Sequence, residues 1–164
     1  MAYLLDANVF IQAKNLHYGL DFCPAFWDWL IAGNQAKRVF SIEKVGDEID
    51  AGDDELTEWA AKQGPGFFLK PDASMLSVLG KISSWVTSQR YEPAAVTTFL
   101  QVADYYLVAH ALSHGDTIVT HERAADSKKR IQIPNVCIGL NIKCMSPFEM
   151  LRRERALFIL GSRK

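Results

Sequence analysis

The chain has 164 residues, 49% of them hydrophobic, which suits one domain able to bury a core without staples. Three cysteines (Cys23, Cys137, Cys144) with no C-x-x-C pair argue against a disulfide framework or a zinc site and fit a reducing cytoplasm; no basic leader precedes the first apolar run, and none reaches the roughly 18 residues of a membrane span. The net charge of -1 is unevenly spread: residues 1–122 hold 8 basic and 16 acidic residues, whereas residues 123–164 hold 10 basic and 3 acidic, a pattern that suits a cation-binding body beside a polyanion-binding edge or, more blandly, solvated helix faces.

In chain order, AYLL (2–5) reads as a buried strand ended by Asp6. FCPAFWDWLIAGN (22–34) reads as a helix with Phe22, Phe26, Trp29 and Leu30 on one face and Gly33-Asn34 as its stop. The aromatic run Phe22, Phe26, Trp27 and Trp29 reads as core, although Trp27, pointing away from the Phe22 and Phe26 stripe, could still seed a contact with a second chain. From Ser41 the spacing of Ile42, Val45 and Ile49 predicts a helix to Gly52, without a capping box. DDELTEWAAKQG (53–64) predicts another, with Asp53 and Asp54 at its positive end. After the GPG turn, FFL (67–69) reads as a short strand and SMLSVLGKISSWV (74–86) as a helix.

The longest predicted helix is EPAAVTTFLQVADYYLVAHALSHG (92–115), with Pro93 in its first turn and Gly115 as its stop. TIVT (117–120) and VCIG (136–139) read as a second and third buried strand. SPFEMLRRERALFIL (146–160) closes as an amphipathic helix, capped by Ser146 and packed on the body. The last residues, GSRK (161–164), look like a frayed end or a cloning remnant. Strands separated by helices imply an α/β fold with a parallel sheet covered on both faces.

Ligands of such a sheet bind beyond the carboxyl ends of its strands. Asp6 follows the first strand, and Glu122 follows TIVT after His121. Asp104 shares a helical face with Leu100, Leu107, Val108 and Ala111, so it interrupts a stripe aimed at the sheet. Glu48 lies on the inner side of its helix, although Glu43, Asp47, Asp50 and Asp53 are close by and could serve instead. Four carboxylates packed together repel unless a cation joins them. With no His or Cys cluster in view, all-oxygen ligation suits magnesium or manganese, and hence metal-assisted phosphodiester hydrolysis. The milder alternatives are an N-cap role for Asp6, a solvent-facing Asp104, and an ordinary loop acid at Glu122.

These residues resemble the PIN-domain family of nucleases, VapC-like toxins among them. The resemblance rests on Asp6-Ala7-Asn8 after the first strand, Val45-Gly46-Asp47-Glu48-Ile49, Ala103-Asp104-Tyr105-Tyr106-Leu107-Val108, and Thr120-His121-Glu122, where Glu replaces the family's Asp. It spans residues 2–139; IPNVC (133–137) and SPFEML (146–151) look like an uncharacterised PIN-like branch. It implies a PIN-like three-layer α/β/α fold with a central parallel sheet, one nuclease domain over residues 1–160, and RNA cleavage by metal-activated water. It further implies Mg2+ or Mn2+ held by Asp6, Glu48, Asp104 and Glu122, with Asn8 and Thr120 orienting the acids or a metal-bound water. A toxin role, a cognate antitoxin and a homodimer are properties of many relatives. The longer Glu122 reaches metal through water or binds only a second ion, or Asp126 compensates for it.

Arg123, Lys128, Lys129 and Arg130 follow the fourth acid and are placed to hold RNA phosphates, unless they form a solvated basic loop. His121 could donate to phosphate or assist a proton transfer. Two other readings remain: a PIN-like module that binds RNA or protein without cutting, and a haloacid-dehalogenase-type phosphatase. The latter needs a second Asp two residues after Asp6, where this chain has Asn8.

Overall fold

The computed structural model describes residues 1–161. β1 (Tyr3–Leu5) has all three side chains buried, and Asp6 caps α1 (Ala7–Gln12) directly after it. A π-helical turn (Ala13–His17) ends α1. α2 (Pro24–Gln35) buries Phe26, Trp27 and Leu30. This corrects one expectation, since Phe22 precedes the helix and is exposed; Trp27 is core, as read for the aromatic run, its indole N–H donating to the Tyr18 carbonyl at 2.7 Å.

Val39–Ile42 is β2, and α3 (Glu43–Asp50) starts only after it. The expected helix start at Ser41 is thus a strand residue. Ser41 is fully buried, and its hydroxyl donates to the Leu5 carbonyl at 2.6 Å, which removes the cost of hiding it. α4 (Glu55–Ala61) opens with a capping box between Asp54 and Thr57. β3 (Phe68–Leu69) and α5 (Ala73–Ser88) follow as expected.

The expected long helix is two: α6 (Pro93–Phe99) and α7 (Ala103–His114). Val102 takes an extended conformation at the break, and Leu100 lies outside α7, so the stripe around Asp104 starts at Leu107. Gly115, in the left-handed region, ends α7 as expected. β4 (Thr117–Val119) is fully buried.

The expected strand at 136–139 is instead part of α8 (Ile133–Leu140), with Pro134 in its first turn and Asn141 at φ 56° as its stop. Short apolar runs do not separate strand from helix by period, and those two flanking residues decide it. The outermost strand is β5 (Cys144–Met145). α9 (Pro147–Arg153) has the capping box of Ser146 and Glu149 and stops short of the expected residue 160. Arg155 at φ 52° turns the chain, and Phe158 then packs its ring on Tyr18 and Phe26. The expectation for the GSRK end falls, from residue 162 on, outside the described residues.

The five strands pair in the order β3-β2-β1-β4-β5, all parallel, with helices forming the outer layers. Full burial of β1 and β4 is what a sheet covered on both faces requires. The chain runs from β1 outward to β3, then crosses back to β4 on the other side of β1. That reversal leaves a crevice at the carboxyl ends of β1 and β4.

Candidate active site

Asp6 leaves β1 at this crevice and is 5% exposed. One carboxylate oxygen accepts the Ala7 N–H at 2.7 Å, and the other accepts the Thr120 hydroxyl at 2.8 Å. Asp6 is therefore an N-cap and a member of the acid group at once. Thr120, from the end of β4, is saturated: besides donating to Asp6, its oxygen accepts from Asn8 Nδ2 and from the Glu122 N–H, each at 3.1 Å. Asn8 Oδ1 also accepts the His121 N–H at 3.1 Å. Asn8 and Thr120 thus stitch the chain after β1 to the chain after β4.

The break before α7 sets Asp104 in the first turn of that helix. Burial pushes the Asp104 carboxyl up to about 7, with the charges of Asp6, Glu122 and Glu48 adding and Arg130 opposing. Burial likewise lifts Asp6 to about 6; the Thr120 and Ala7 hydrogen bonds oppose this, and Glu122 and Glu48 add to it. Glu48 is raised by burial, partly offset by the Ala103 N–H at the head of α7. Asp6 and Asp104 thus each feel the charges of Glu48 and Glu122 across the crevice. Among the described residues, Asp6, Glu48 and Asp104 have no ion pair.

Glu122 differs. One oxygen pairs with Arg130 Nη2 at 2.9 Å, and the other accepts the Ile133 N–H at the head of α8 at 2.8 Å. Both its oxygens are engaged within the chain, as those of Asp6 are, but of the four acids Glu122 is the one held by a cation. The spacing of the four is also open: among the described residues, the one set of three or more His, Cys, Asp or Glu donor atoms lying within 4.8 Å of one another is Asp72, His110 and His114, at the other end of α7. The expectation of no histidine cluster is corrected by that set. A magnesium-sized ion that keeps several waters and touches one or two carboxylates fits the open acid group; a closed all-protein cage does not.

A groove of about 490 Å³ brings Glu48 and Asp104 together with Lys129, Arg130 and the apolar wall of Phe99 and Ile131. Glu43, Asp47 and Asp50, three of the four alternatives to Glu48, line a different hollow beside Lys70, and the fourth, Asp53, is exposed. The basic run divides. Lys129 and Arg130 face the acids, Lys128 lies over the Tyr91 ring at 5.4 Å, and Arg123 lines a hollow with Cys137 and Cys144. Asp126 is exposed beside Lys128 and does not join the acids. His121 packs against the rings of His17 and Phe148, and burial holds its pKa below the ordinary value.

Two contributors escaped the sequence reading, the N–H groups that open α7 and α8. Pro134 signals the second; nothing between Leu100 and Ala103 signals the first.

A parallel sheet of this order, layered with helices and carrying acids at its switch point, is a PIN-like fold. It is similar to a chain of the crystal structure of VapBC2 from Rickettsia felis bound to a DNA fragment from their promoter, with 14% identity, coverage of 89% of this chain and 98% of that one, and a TM-score of 0.54. The chain belongs to the DUF4411 family, a domain of unknown function whose model matches residues 3–158. No curated protein matches it.

Proposed function

We propose that this chain is a magnesium- or manganese-dependent endoribonuclease. The observation that carries the reading is the pair of carboxyls at the strand ends, buried Asp6 and half-buried Asp104, lifted to about 6 and about 7 with no ion pair among the described residues. Unneutralised charge of this kind is costly to keep, and a divalent cation relieves it. Asp6 and Asp104 would hold the ion, Glu48 and Glu122 would act at its margin, and Asn8 and Thr120 would keep Asp6 aimed. Such an ion supplies Lewis acidity, lowering the pKa of the attacking water and easing charge on the leaving oxygen. Lys129 and Arg130 would hold RNA phosphates in the groove they share with Asp104.

A toxin role beside an antitoxin, in the cytoplasm, is supported by the motif resemblance and by the VapBC2 neighbour; the described residues contain no helix long and apolar enough to cross a membrane. A second reading is a PIN-like module that binds RNA or protein without cutting. The engagement of both Glu122 oxygens by Arg130 and Ile133 favours it.

Cleavage of a labelled single-stranded RNA in magnesium separates the two. The nuclease reading expects turnover that falls about 100-fold or more in Asp104→Asn, equivalent to roughly 3 kcal/mol of lost transition-state stabilisation. RNA retained on the protein but left intact, in native chain and variant alike, would establish the binding module instead.

A further inference from the structure

At the end of α7 remote from Asp104, three side chains converge that take no part in the strand-end groove. His110 and His114 stand one turn apart on the same helix face, their ring centroids 4.5 Å apart. Asp72, the N-cap of α5, reaches across so that its Oδ2 lies 2.7 Å from His114 Nε2. One donor atom from each of Asp72, His110 and His114 lies within 4.8 Å of the other two. Two histidines at i and i+4 on a helix present their rings side by side, which is a spacing that lets both reach one metal ion.

A second observation is independent of this spacing. His110 is only 5% exposed, yet its Nδ1 has no hydrogen-bond partner. The nearest carboxylate oxygen, Asp116 Oδ2, is 3.7 Å away, too far for a hydrogen bond. Asp116 is itself anchored by the Ala2 N–H at 2.9 Å. Histidines that ligate metal characteristically turn their other ring nitrogen to a carboxylate, which fixes the ring. Asp116 stands on the Nδ1 side of the His110 ring, where such a carboxylate is needed.

We propose that Asp72, His110 and His114 form a site for a divalent transition-metal ion, with Asp116 orienting His110. Two imidazoles and a carboxylate suit zinc and its first-row neighbours, whereas magnesium and calcium take oxygen ligands. The cysteine pattern that argued against a zinc site bears only on thiolate sites. Ligation at His114 Nε2 leaves that nitrogen without a proton, the neutral ring carrying its one proton on Nδ1, and any proton displaced from Nε2 goes to solvent. The two aspartates balance the charge of the ion. The site ties the start of α5 to the end of α7, so its role is to clip two helices together at the end opposite the groove. It stands whether or not the groove cuts RNA.

The test is a zinc titration of the full chain, following melting temperature and competition with a chromophoric chelator, with cobalt absorption as a second readout. Asp72 and His114 are both exposed, and Asn caps a helix as well as Asp, so Asp72→Asn and His114→Ala should fold. The expected result is one equivalent of zinc that raises the melting temperature of the native chain and of Asp104→Asn equally. Affinity should fall at least tenfold in His114→Ala and in Asp72→Asn. Absence of zinc binding to the native chain, zinc binding undiminished in His114→Ala, or binding lost in Asp104→Asn would each overturn the proposal.

Discussion

The two ends of α7 hold the same kind of group in opposite electrical states. At its head, burial and three neighbouring acids lift Asp104 to about 7. At its tail, Asp72 and Asp116 are held below the ordinary carboxylate range: Asp72 by the Met75 N–H and then by His114, Asp116 because His110 and the Ala2 N–H outweigh the effect of burial. The tail has imidazole and backbone N–H partners inside the chain. The head has acids gathered against their own repulsion; the charge of Arg130 opposes the lift of Asp104 and the hydrogen bonds from Thr120 and Ala7 oppose that of Asp6, without offsetting burial. An arrangement that costs stability and lacks an internal remedy is best explained by something that binds there.

The sharpest way to break this contrast is the pH dependence of stability without metal. Asp6 and Asp104 hold protons in the folded chain at pH values where the unfolded chain has lost them. Stability in a chelator should therefore fall as pH rises from about 4 through about 7, then level off, by on the order of 3 kcal/mol in urea unfolding. Millimolar magnesium should return much of that loss at pH 8, and Asp104→Asn should flatten the curve. A metal-free stability that rises steadily over this window would remove the contrast.

Thr120→Val probes the support of Asp6. It removes one hydroxyl that serves Asp6, Asn8 and the Glu122 N–H, so unfolding should be easier by about 1–3 kcal/mol. The Asp6 carboxyl should also rise further, which an NMR titration of its side chain would read.

The smallest effect belongs to Arg130→Ala. Arg130 is largely exposed, so its loss should cost under about 1 kcal/mol. It should free one Glu122 oxygen and raise manganese affinity by on the order of twofold to fivefold, measured by calorimetry. Weaker manganese binding in that variant would mean that Glu122 is built for Arg130 rather than for an ion.

Much of this arrangement was legible before the fold. Asp6 and Glu122 were readable because each closely follows a short run of apolar and β-branched residues that reads as a buried strand, and parallel sheets present such positions at one rim. Asp104 was readable as a charge inside an apolar stripe, although the stripe was drawn one element too long. The break at 100–102 carries no Pro or Gly, and tertiary packing rather than local propensity set it. β2 was absorbed into α3 because Ser41 resembles a helix start; its buried bond to Leu5 depends on a partner 36 residues away. The strand expected at 136–139 failed for want of reading Pro134 and Asn141 together. The pairing of Glu122 with Arg130 and Ile133 depends on the course of the loop between β4 and α8, which no local pattern encodes.

The central claim is that Asp104 is a carboxyl held out of its ordinary range until a dication binds. Carbon-13 NMR of the Asp104 carboxyl, titrated with pH in chelator and again in magnesium, tests it directly. The account predicts a midpoint near 7 without metal and one well below that with magnesium present. A midpoint near the ordinary 3.8 in chelator, unmoved by magnesium, would contradict it.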